Sequence, residues 1–200
     1  MKNIFLTGAT GLLGSHLLKL FISEGENQVF LLIRGKDERE AKNRVKNLLS
    51  QMVRGNSRKG ELSKRIQVIW GDITKDNLGI GKQDFSFLNG NINEIFHCAA
   101  LAEFRQPLEK VRLVNVRGTQ NVLNFTTKCA HLRRFHYVST AFIAGTFNGK
   151  FSEQDFDVHQ KFNNTYEKSK FEAEMLVRKY FNSKFNVSIY RPSIIVGDYD

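Results

Sequence analysis

The sequence predicts an α/β fold built on a doubly wound parallel sheet. Apolar segments of strand length alternate along the chain with segments whose apolar residues recur at helical spacing. The strand-like segments are nearly continuous in apolar residues, which is typical of parallel strands covered on both faces. Right-handed crossovers between such strands favour a doubly wound arrangement. The 200 residues are enough to bury a sizeable core.

The elements follow one another in strand–helix order. The predicted strands are Asn3–Thr7, Gln28–Arg34, Ile66–Ile73, Asn93–Ala100 and Arg134–Thr140, and Val187–Gly197 supplies a sixth strand and the turn after it. The predicted helices run from Gly11 to Gly25, from Asp37 to about Val53, from roughly Pro107 to Cys129 and from about Thr165 to Phe181. Six strands complete a nucleotide-binding core, the Rossmann fold.

Composition and charge limit the class of protein. The net charge is +10, from 30 Lys and Arg against 20 Asp and Glu, which favours anionic partners. The densest basic segment, Arg54–Arg65, has no aromatic residue on which a base could stack, so we expect a solvated loop and no nucleic-acid partner. No apolar stretch approaches the roughly 20 residues of a membrane span, and no signal peptide is predicted. The two cysteines and the histidines show no ligand spacing, so we expect no metal site. Two thiols in a chain without a predicted secretion signal indicate a cytoplasmic location.

The first strand and helix are joined by the glycine-rich turn TGATGLLG. Gly8 permits the tight turn, Gly11 allows a pyrophosphate to approach the backbone, and Gly14 lets the helix pack closely on the sheet. The free N–H groups and the dipole at the helix start attract the phosphate charge. The predicted cofactor contacts here are Gly8, Thr10, Gly11, Leu12, Leu13 and Gly14.

The residue at the end of the second strand indicates which dinucleotide binds. NAD-binding sheets usually place Asp or Glu there, whereas this chain has Arg34. A guanidinium suits the 2′-phosphate of NADPH, and Arg44 lies close enough in the sequence to add positive charge. Residues after strands three and four complete the predicted cofactor site. Asp72 and Ile73, after strand three, are expected to contact the adenine. The segment Ala99, Ala100 and Leu101, after strand four, has small residues that leave room for the ribose and phosphates.

The segment YEKSK places Tyr166 and Lys170 on one face of a helix. A nearby cation favours the phenolate and lowers the pKa of a tyrosine. Thr140, at the end of the fifth strand, could hold the substrate oxygen beside the phenol. These groups could together protonate a carbonyl oxygen as hydride arrives from a nicotinamide.

These motifs together resemble the extended short-chain dehydrogenase/reductase superfamily. The resemblance rests on TGATGLLG, GDI, HCAA, NVRGT, YVST, YEKSK and YRPSIIVG. Within it, FHCAALAEF, NVRGTQNVL and YVSTAFIAG are most similar to the thioester reductase branch, which includes the fatty acyl-CoA reductases of the male sterility family and the reductase domains of peptide synthetases.

The resemblance implies roles for further residues. It implies catalytic roles for Thr140, Tyr166, Lys170 and Asn115 and a 2′-phosphate site at Arg34 and Arg44. Ser139, Tyr166 and Lys170 are also expected to contact the cofactor, with a turn beside the nicotinamide formed by Pro192, Ser193, Ile194 and Ile195. Family members continue into a substrate-binding region, so residues 1–200 are expected to be an NADP-binding domain that largely lacks it.

The leading hypothesis is an NADPH-dependent reductase of an acyl thioester, carried on coenzyme A or a carrier protein, with an aldehyde or alcohol as product. An NDP-sugar epimerase, a dehydratase or a sterol-type dehydrogenase of the same superfamily is an alternative. A non-catalytic dinucleotide-binding module is another. Two further expectations concern packing: His97 is a hydrogen-bonded core residue, and Phe142, Phe147 and Phe151 either belong to the core or line an acyl channel.

Overall fold

The computed structural model describes residues 2–23, 26–52, 64–181 and 184–196. Most of the basic segment predicted at Arg54–Arg65 lies outside these residues, as does Gly197 at the end of the last predicted turn. No helix in these four ranges is long and apolar enough to cross a membrane.

Six parallel strands form one sheet in the order β3-β2-β1-β4-β5-β6, which confirms the predicted fold class. Their bounds are Asn3–Thr7 (β1), Gln28–Ile33 (β2), Ile66–Trp70 (β3), Glu94–His97 (β4), Arg134–Val138 (β5) and Asn186–Tyr190 (β6). The order reverses direction between β1 and β4, which pair in parallel with Phe5 opposite Ile95. This reversal is the place where doubly wound sheets bind ligands.

Five helices cover the sheet in the described ranges. They are α1 (Leu12–Ser23), α2 (Glu38–Met52), α3 (Lys82–Asn91), α4 (Leu108–Thr126) and α5 (Thr165–Arg178). Helix α4 is continuous and consists of Leu108–Arg112, a π-helical turn at Leu113–Arg117, and Gly118–Thr126. Short 3-10 turns occupy Asp76–Gly79 and Ala141–Ala144. Helix α3 was not predicted, because its sequence KQDFSFLNGN buries only Leu88 and therefore shows no helical apolar stripe.

Alternate residues of each strand face two separate cores. Phe5 of β1 packs with Val122 of α4 and Val177 of α5 on one face, whereas its neighbour Leu6 packs with residues of α1 and α2, such as Leu18, on the other. Both faces of the sheet are therefore apolar, which explains the continuous apolar strands of the sequence.

Four strands end earlier than predicted, and β2 does so by one residue, at Ile33. β3 ends at Trp70, β4 at His97 and β5 at Val138, so Asp72, Ala99 and Thr140 leave the hydrogen-bonded ladder. These residues are small or polar and form loops at the carboxyl edge of the sheet. The difference matters for function, because loop residues at this edge can face a ligand.

Candidate active site

A cleft of about 290 Å³ opens at the carboxyl ends of β1, β2, β3 and β4. Half of the predicted cofactor residues line it, namely Gly8, Thr10, Gly11, Arg34, Arg44, Asp72, Ile73, Ala99, Ala100 and Leu101. Leu12, Leu13 and Gly14 belong to the first turn of α1 instead and do not line the cleft. The sheet thus gathers residues as distant in the chain as Gly8 and Leu101 around one opening.

The glycines of the turn serve two different purposes. Gly8 has φ +77°, a backbone conformation that favours glycine. Gly14 packs directly against it, since a Cβ on Gly14 would lie 2.1 Å from the Gly8 carbonyl oxygen. Neither position admits a side chain. A Cβ on Gly11 would meet only that same oxygen, at an ordinary 3.4 Å. The protein's own packing therefore does not require glycine at position 11, and the open space there fits a phosphate close to the backbone.

The start of α1 suits an anion. The helix begins at Leu12 directly behind the Gly11 turn and carries no acidic residue in its first turn. The first N–H groups of a helix have no partner inside it, and its dipole is positive at this end. A pyrophosphate in the cleft would therefore receive hydrogen bonds and positive potential without a competing carboxylate.

Arg44 reaches from α2 across the mouth of the cleft. Its guanidinium donates to the Arg34 carbonyl oxygen at 2.5 Å and to the Thr10 hydroxyl at 3.2 Å. The Arg34 side chain is exposed at the end of β2 beside it. Both arginines consequently line the cleft at the position where the sequence predicts a 2′-phosphate.

Asp72 and Ile73 form the far wall of the cleft. The Oδ1 atom of Asp72 accepts hydrogen bonds from the Thr74 N–H and hydroxyl, both at 2.8 Å. The Ile73 carbonyl oxygen accepts one from Asn121 of α4 at 2.8 Å. These bonds fix the loop after β3, and the second carboxylate oxygen of Asp72 has no partner among the residues described, which leaves it open for a donor.

Lys170 lies one strand further along the edge, beside β5. It is buried on α5, and its Nζ atom donates to the Val138 carbonyl oxygen at 2.6 Å and sits 4.3 Å from the centre of the Tyr137 ring. Burial lowers the pKa of this ammonium to about 7, although Glu174 acts in the opposite direction. An amine of this kind changes charge near neutral pH.

Tyr166 and Thr140 come together at the same edge. Thr140 lies near the Tyr166 phenol, and its hydroxyl accepts a hydrogen bond from the Phe142 N–H at 3.2 Å. Burial raises the pKa of Tyr166, and the nearby Thr140 hydroxyl opposes this rise. The direction is opposite to the predicted one because burial outweighs the groups that favour the phenolate, and the Lys170 Nζ bonds the Val138 carbonyl oxygen.

Asn115, for which the resemblance implies a catalytic role, bonds the loop after β4 and helix α5. It lies in the π-helical turn of α4, where its Oδ1 accepts from the Leu101 N–H at 2.7 Å. Its Nδ2 donates to the Leu101 carbonyl oxygen at 3.1 Å and to the Ser169 hydroxyl at 2.9 Å. Ser169 in turn donates to the Tyr166 carbonyl oxygen, so Asn115 positions the loop after β4 against α5.

The hydroxyl of Ser139, a predicted cofactor contact, points to a buried carboxylate. Its hydroxyl is buried and donates to Glu174 at 2.6 Å, so this side chain does not face the cofactor cleft. Tyr166 and Lys170 likewise do not line that cleft, because they stand on α5 beside β5. Of the two hydroxyl residues after β5, only Thr140 lies beside the phenol.

The segment after β6 contacts Thr140 through its first residue, Pro192. The Pro192 carbonyl oxygen accepts hydrogen bonds from the Ala141 N–H at 2.9 Å and from the Thr140 hydroxyl at 3.4 Å. The other three predicted cofactor contacts of this segment are exposed and do not line the cleft; they are Ser193, Ile194 and Ile195.

Sequence reasoning missed two charged residues behind the site. Glu174 is fully buried and binds Ser139, Arg178 and Arg191. The side chain of Arg191 also donates to backbone carbonyl oxygens of the loop 152–155. A glutamate four positions after Lys170 was visible in the sequence, but nothing there showed that it was buried.

His97 is the core residue that the sequence predicts. Its Nδ1 lies 2.7 Å from the Thr7 hydroxyl and its Nε2 lies 3.0 Å from the Thr119 hydroxyl. Burial and the nearby Lys170 lower its pKa to about 3, so the ring is neutral at physiological pH. No cluster of three or more potential metal ligands occurs among the residues described.

Comparison with known proteins agrees with this geometry. The model of the male sterility protein family matches residues 6–200. A nonribosomal peptide synthetase of Aspergillus flavus is 32% identical over 205 residues, covering 98% of this chain and 20% of the synthetase. A fatty acyl-CoA reductase of Drosophila melanogaster is 29% identical over 227 residues, covering 99% of this chain and 44% of the reductase.

A solved structure shares the fold closely. The terminal R domain from the myxalamid PKS-NRPS biosynthetic pathway superposes with a TM-score of 0.85 at 32% identity, over 98% of this chain and 50% of that one. The chain thus spans half or less of the length of each of these relatives. On the family match and the shared parallel sheet, the chain belongs to the male sterility protein family of the extended short-chain dehydrogenase/reductase superfamily.

Proposed function

We propose that this chain is the cofactor-binding and proton-transfer part of an NADPH-dependent reductase of acyl thioesters. The observation that carries the proposal is the placement of Tyr166 and the buried Lys170 one turn apart on α5, with Thr140 near the phenol and the glycine-lined cleft one strand away. A half-buried tyrosine with a hydroxyl nearby and an amine one helical turn away is equipped to protonate a carbonyl oxygen. The cleft beside it fits a dinucleotide.

The residues around the cleft favour NADPH over NADH. Arg34 and Arg44 present guanidinium groups where NAD-binding sheets carry a carboxylate. Asp72 is the only acidic residue among the described residues that line the cleft, and it lies after β3 rather than β2. A phosphate on the ribose would meet two positive charges and no negative one.

The protein's part in the reaction is to hold and deliver one proton. When bound, the dihydronicotinamide supplies the hydride that reduces the thioester carbonyl carbon. The Tyr166 Oη donates its proton to the carbonyl oxygen, which gives a thiohemiacetal. The Thr140 hydroxyl orients that oxygen, and the Lys170 ammonium stabilises the phenolate that remains. Loss of the thiol from the thiohemiacetal releases the aldehyde, and a second hydride and proton give an alcohol.

The surface next to Tyr166 suits an acyl chain on an anionic carrier. The exposed Phe104 ring lies 5.6 Å from the Tyr166 ring, and Phe142 is partly exposed two residues after Thr140. Phe147 is exposed and packs against Phe151, so these rings are not core residues. The net charge of +10 favours coenzyme A or a phosphopantetheinyl carrier protein. The names of the relatives, a peptide synthetase and a fatty acyl-CoA reductase, support the same substrate class.

The test is NADPH oxidation by the full-length protein with acyl-CoA and acyl-carrier substrates. Tyr166→Phe removes the proposed proton donor and should lower kcat at least about 100-fold. Tyr180→Phe, a tyrosine that packs on Phe185 beyond the end of α5, is the matched control and should retain activity. Turnover unchanged in Tyr166→Phe would refute the mechanism. Tightly retained NAD+ with no thioester reduction would point instead to an epimerase of the superfamily.

A further inference from the structure

Three segments behind the reacting groups meet on one buried carboxylate. Glu174 of α5 is fully buried, and its Oε2 accepts a hydrogen bond from the Ser139 hydroxyl at 2.6 Å. Its Oε1 accepts from Arg191 at 2.7 Å and from Arg178 at 2.9 Å. The Arg191 side chain is only 10% exposed, so this ion pair is largely shielded from solvent.

Ser139 and Arg191 each sit directly beside residues that hold the reacting groups. Ser139 lies between Val138, whose carbonyl oxygen accepts the hydrogen bond from Lys170, and Thr140, which contacts the phenol. Arg191 precedes Pro192, whose carbonyl oxygen accepts from the Ala141 N–H and the Thr140 hydroxyl. A shift of either segment would consequently move Thr140 relative to Tyr166.

Glu174 also holds the only negative charge among the groups that act on Lys170. The facing groups are His97 from β4, Cys98 directly after it, Tyr137 from β5 and Glu174 from α5 itself. Burial raises the pKa of Cys98 to about 12 and lowers that of His97 to about 3, and it also raises the pKa of Tyr137, so these three are uncharged at neutral pH. Burial alone would raise the pKa of Glu174, but the hydrogen bonds from Arg191, Ser139 and Arg178 hold it below its ordinary value.

We propose that Glu174 is a positioning residue for thioester reduction: its carboxylate fixes the ends of β5 and β6 against α5 and balances the charge of the Lys170 ammonium. The inference rests on the proposed function, since it assigns the group that prepares the same site. Glu174 touches no reacting atom and acts through Ser139, Arg191 and Lys170.

Two substitutions separate the positional effect from the electrostatic one. Glu174→Gln keeps the shape of the side chain and removes its charge, so it should lower the pKa of Lys170. Ser139→Ala keeps the charge and removes the bond to β5, so it should leave that pKa unchanged. Glu172→Gln is the matched control, because this glutamate of the same helix pairs with Arg112 of α4 and lies away from Lys170.

The first measurement is an NMR titration of isotopically labelled lysine in the full-length protein without cofactor or substrate, with the Lys170 signal assigned from Lys170→Arg. The wild type should titrate near pH 7. Lys170 should titrate at lower pH in Glu174→Gln, whereas in Ser139→Ala and Glu172→Gln it should titrate at the pH of the wild type. An unchanged Lys170 titration in Glu174→Gln would overturn the electrostatic part of the proposal.

The second measurement is the pH dependence of kcat. The ammonium is lost as pH rises through the pKa of Lys170, so kcat should fall on the alkaline side, and this fall should move to lower pH in Glu174→Gln. Ser139→Ala should lower kcat about ten-fold with the fall at its wild-type pH and with an unchanged KM for NADPH. Wild-type kcat in Ser139→Ala would overturn the positional part.

A third variant covers the case in which Glu174→Gln does not fold. Glu174→Asp keeps the charge but shortens the side chain, so Lys170 should titrate as in the wild type while kcat falls. A kcat equal to that of the wild type would refute the proposal. The titration needs no substrate, so it reports on the effect of Glu174 on Lys170 even if the protein reduces no thioester. Absence of thioester reduction with the expected titration would refute the proposed function and leave this effect of Glu174 in place.

Discussion

Asn115 binds both backbone polar groups of Leu101, accepting from its N–H at 2.7 Å and donating to its carbonyl oxygen at 3.1 Å. This pair of bonds joins the loop after β4, which lines the cofactor cleft, to the π-helical turn of α4. π-helical turns often occur at functional sites. The third bond of Asn115, to Ser169, extends the link to the helix that carries Tyr166.

Loss of this clamp should affect stability and turnover together. Asn115→Ala leaves the Leu101 groups and the Ser169 hydroxyl without their partner, which should cost about 2 kcal/mol of unfolding free energy and lower kcat about ten-fold. Urea unfolding and steady-state kinetics would measure both. Asn124→Ala is the control, because this exposed asparagine lies on the same helix and its side chain bonds Gln120. An unaltered kcat in Asn115→Ala would show that the clamp does not position the site.

Arg44 should decide between the two dinucleotides. Arg44→Ala removes one of the two guanidinium groups at the cleft mouth and its bond to Thr10, so the Kd for NADPH should rise about 10- to 100-fold. The Kd for NADH should change little, because NADH has no 2′-phosphate. Isothermal titration with both dinucleotides tests this, and Lys46→Ala on the same helix serves as the control. Equal weakening for both dinucleotides would contradict the assignment.

The glycines at positions 11 and 14 should respond differently to the same substitution. Gly14→Ala forces a Cβ to within 2.1 Å of the Gly8 carbonyl oxygen, so it should destabilise the protein by about 2 kcal/mol or more. Gly11→Ala meets no close atom and should unfold like the wild type, but its methyl group occupies the space left for a phosphate and should weaken dinucleotide binding. Thermal unfolding without cofactor and binding titrations distinguish the two. The interpretation would be wrong if Gly11→Ala bound NADPH normally.

Acid should destabilise the protein through His97. Its pKa is about 3 in the folded chain against an ordinary 6.5, so the unfolded chain binds the additional proton between these values. Stability is therefore lost as pH falls below 6.5, by about 2 kcal/mol between pH 7 and pH 5.

Urea unfolding at the two pH values tests this expectation. His97→Asn should lose about 2 kcal/mol less than the wild type over the same interval, although it is less stable at pH 7. The control is His131→Asn at an exposed position, which should follow the wild type. Parallel losses in the wild type and His97→Asn would exclude His97 as the source.

The elements of the fold could be predicted because their signals are local. β1 was predicted with its observed bounds Asn3–Thr7, and α5 was predicted from about Thr165. The ends of β3 and β4 were placed too late, since residues such as Ile73 and Ala99 remain apolar after the ladder stops. Apolar character reports burial, whereas strand bounds depend on hydrogen bonds to a neighbouring strand.

Prediction of the site succeeded where backbone position alone decides and failed where side-chain direction matters. Gly8 and Arg34 face the cleft because parallel strands end at a common edge. Ser139 and Thr140 are adjacent hydroxyl residues, yet one faces Glu174 and the other faces Tyr166. The packing of α5 against β5 determines which of the two hydroxyls faces the phenol. This contact joins residues 35 positions apart, so local sequence does not reveal it.

The two tasks of the domain occupy consecutive stretches of the chain. Apart from Val114, the residues that line the cleft all come from the first 101 positions, and the proposed proton-transfer groups come from position 140 onward. Cofactor preference and chemistry can therefore be exchanged as blocks. A chimaera that takes its first 101 residues from an NADH-using relative should change dinucleotide while keeping its substrate, provided that the seam preserves the Leu101–Asn115 pair.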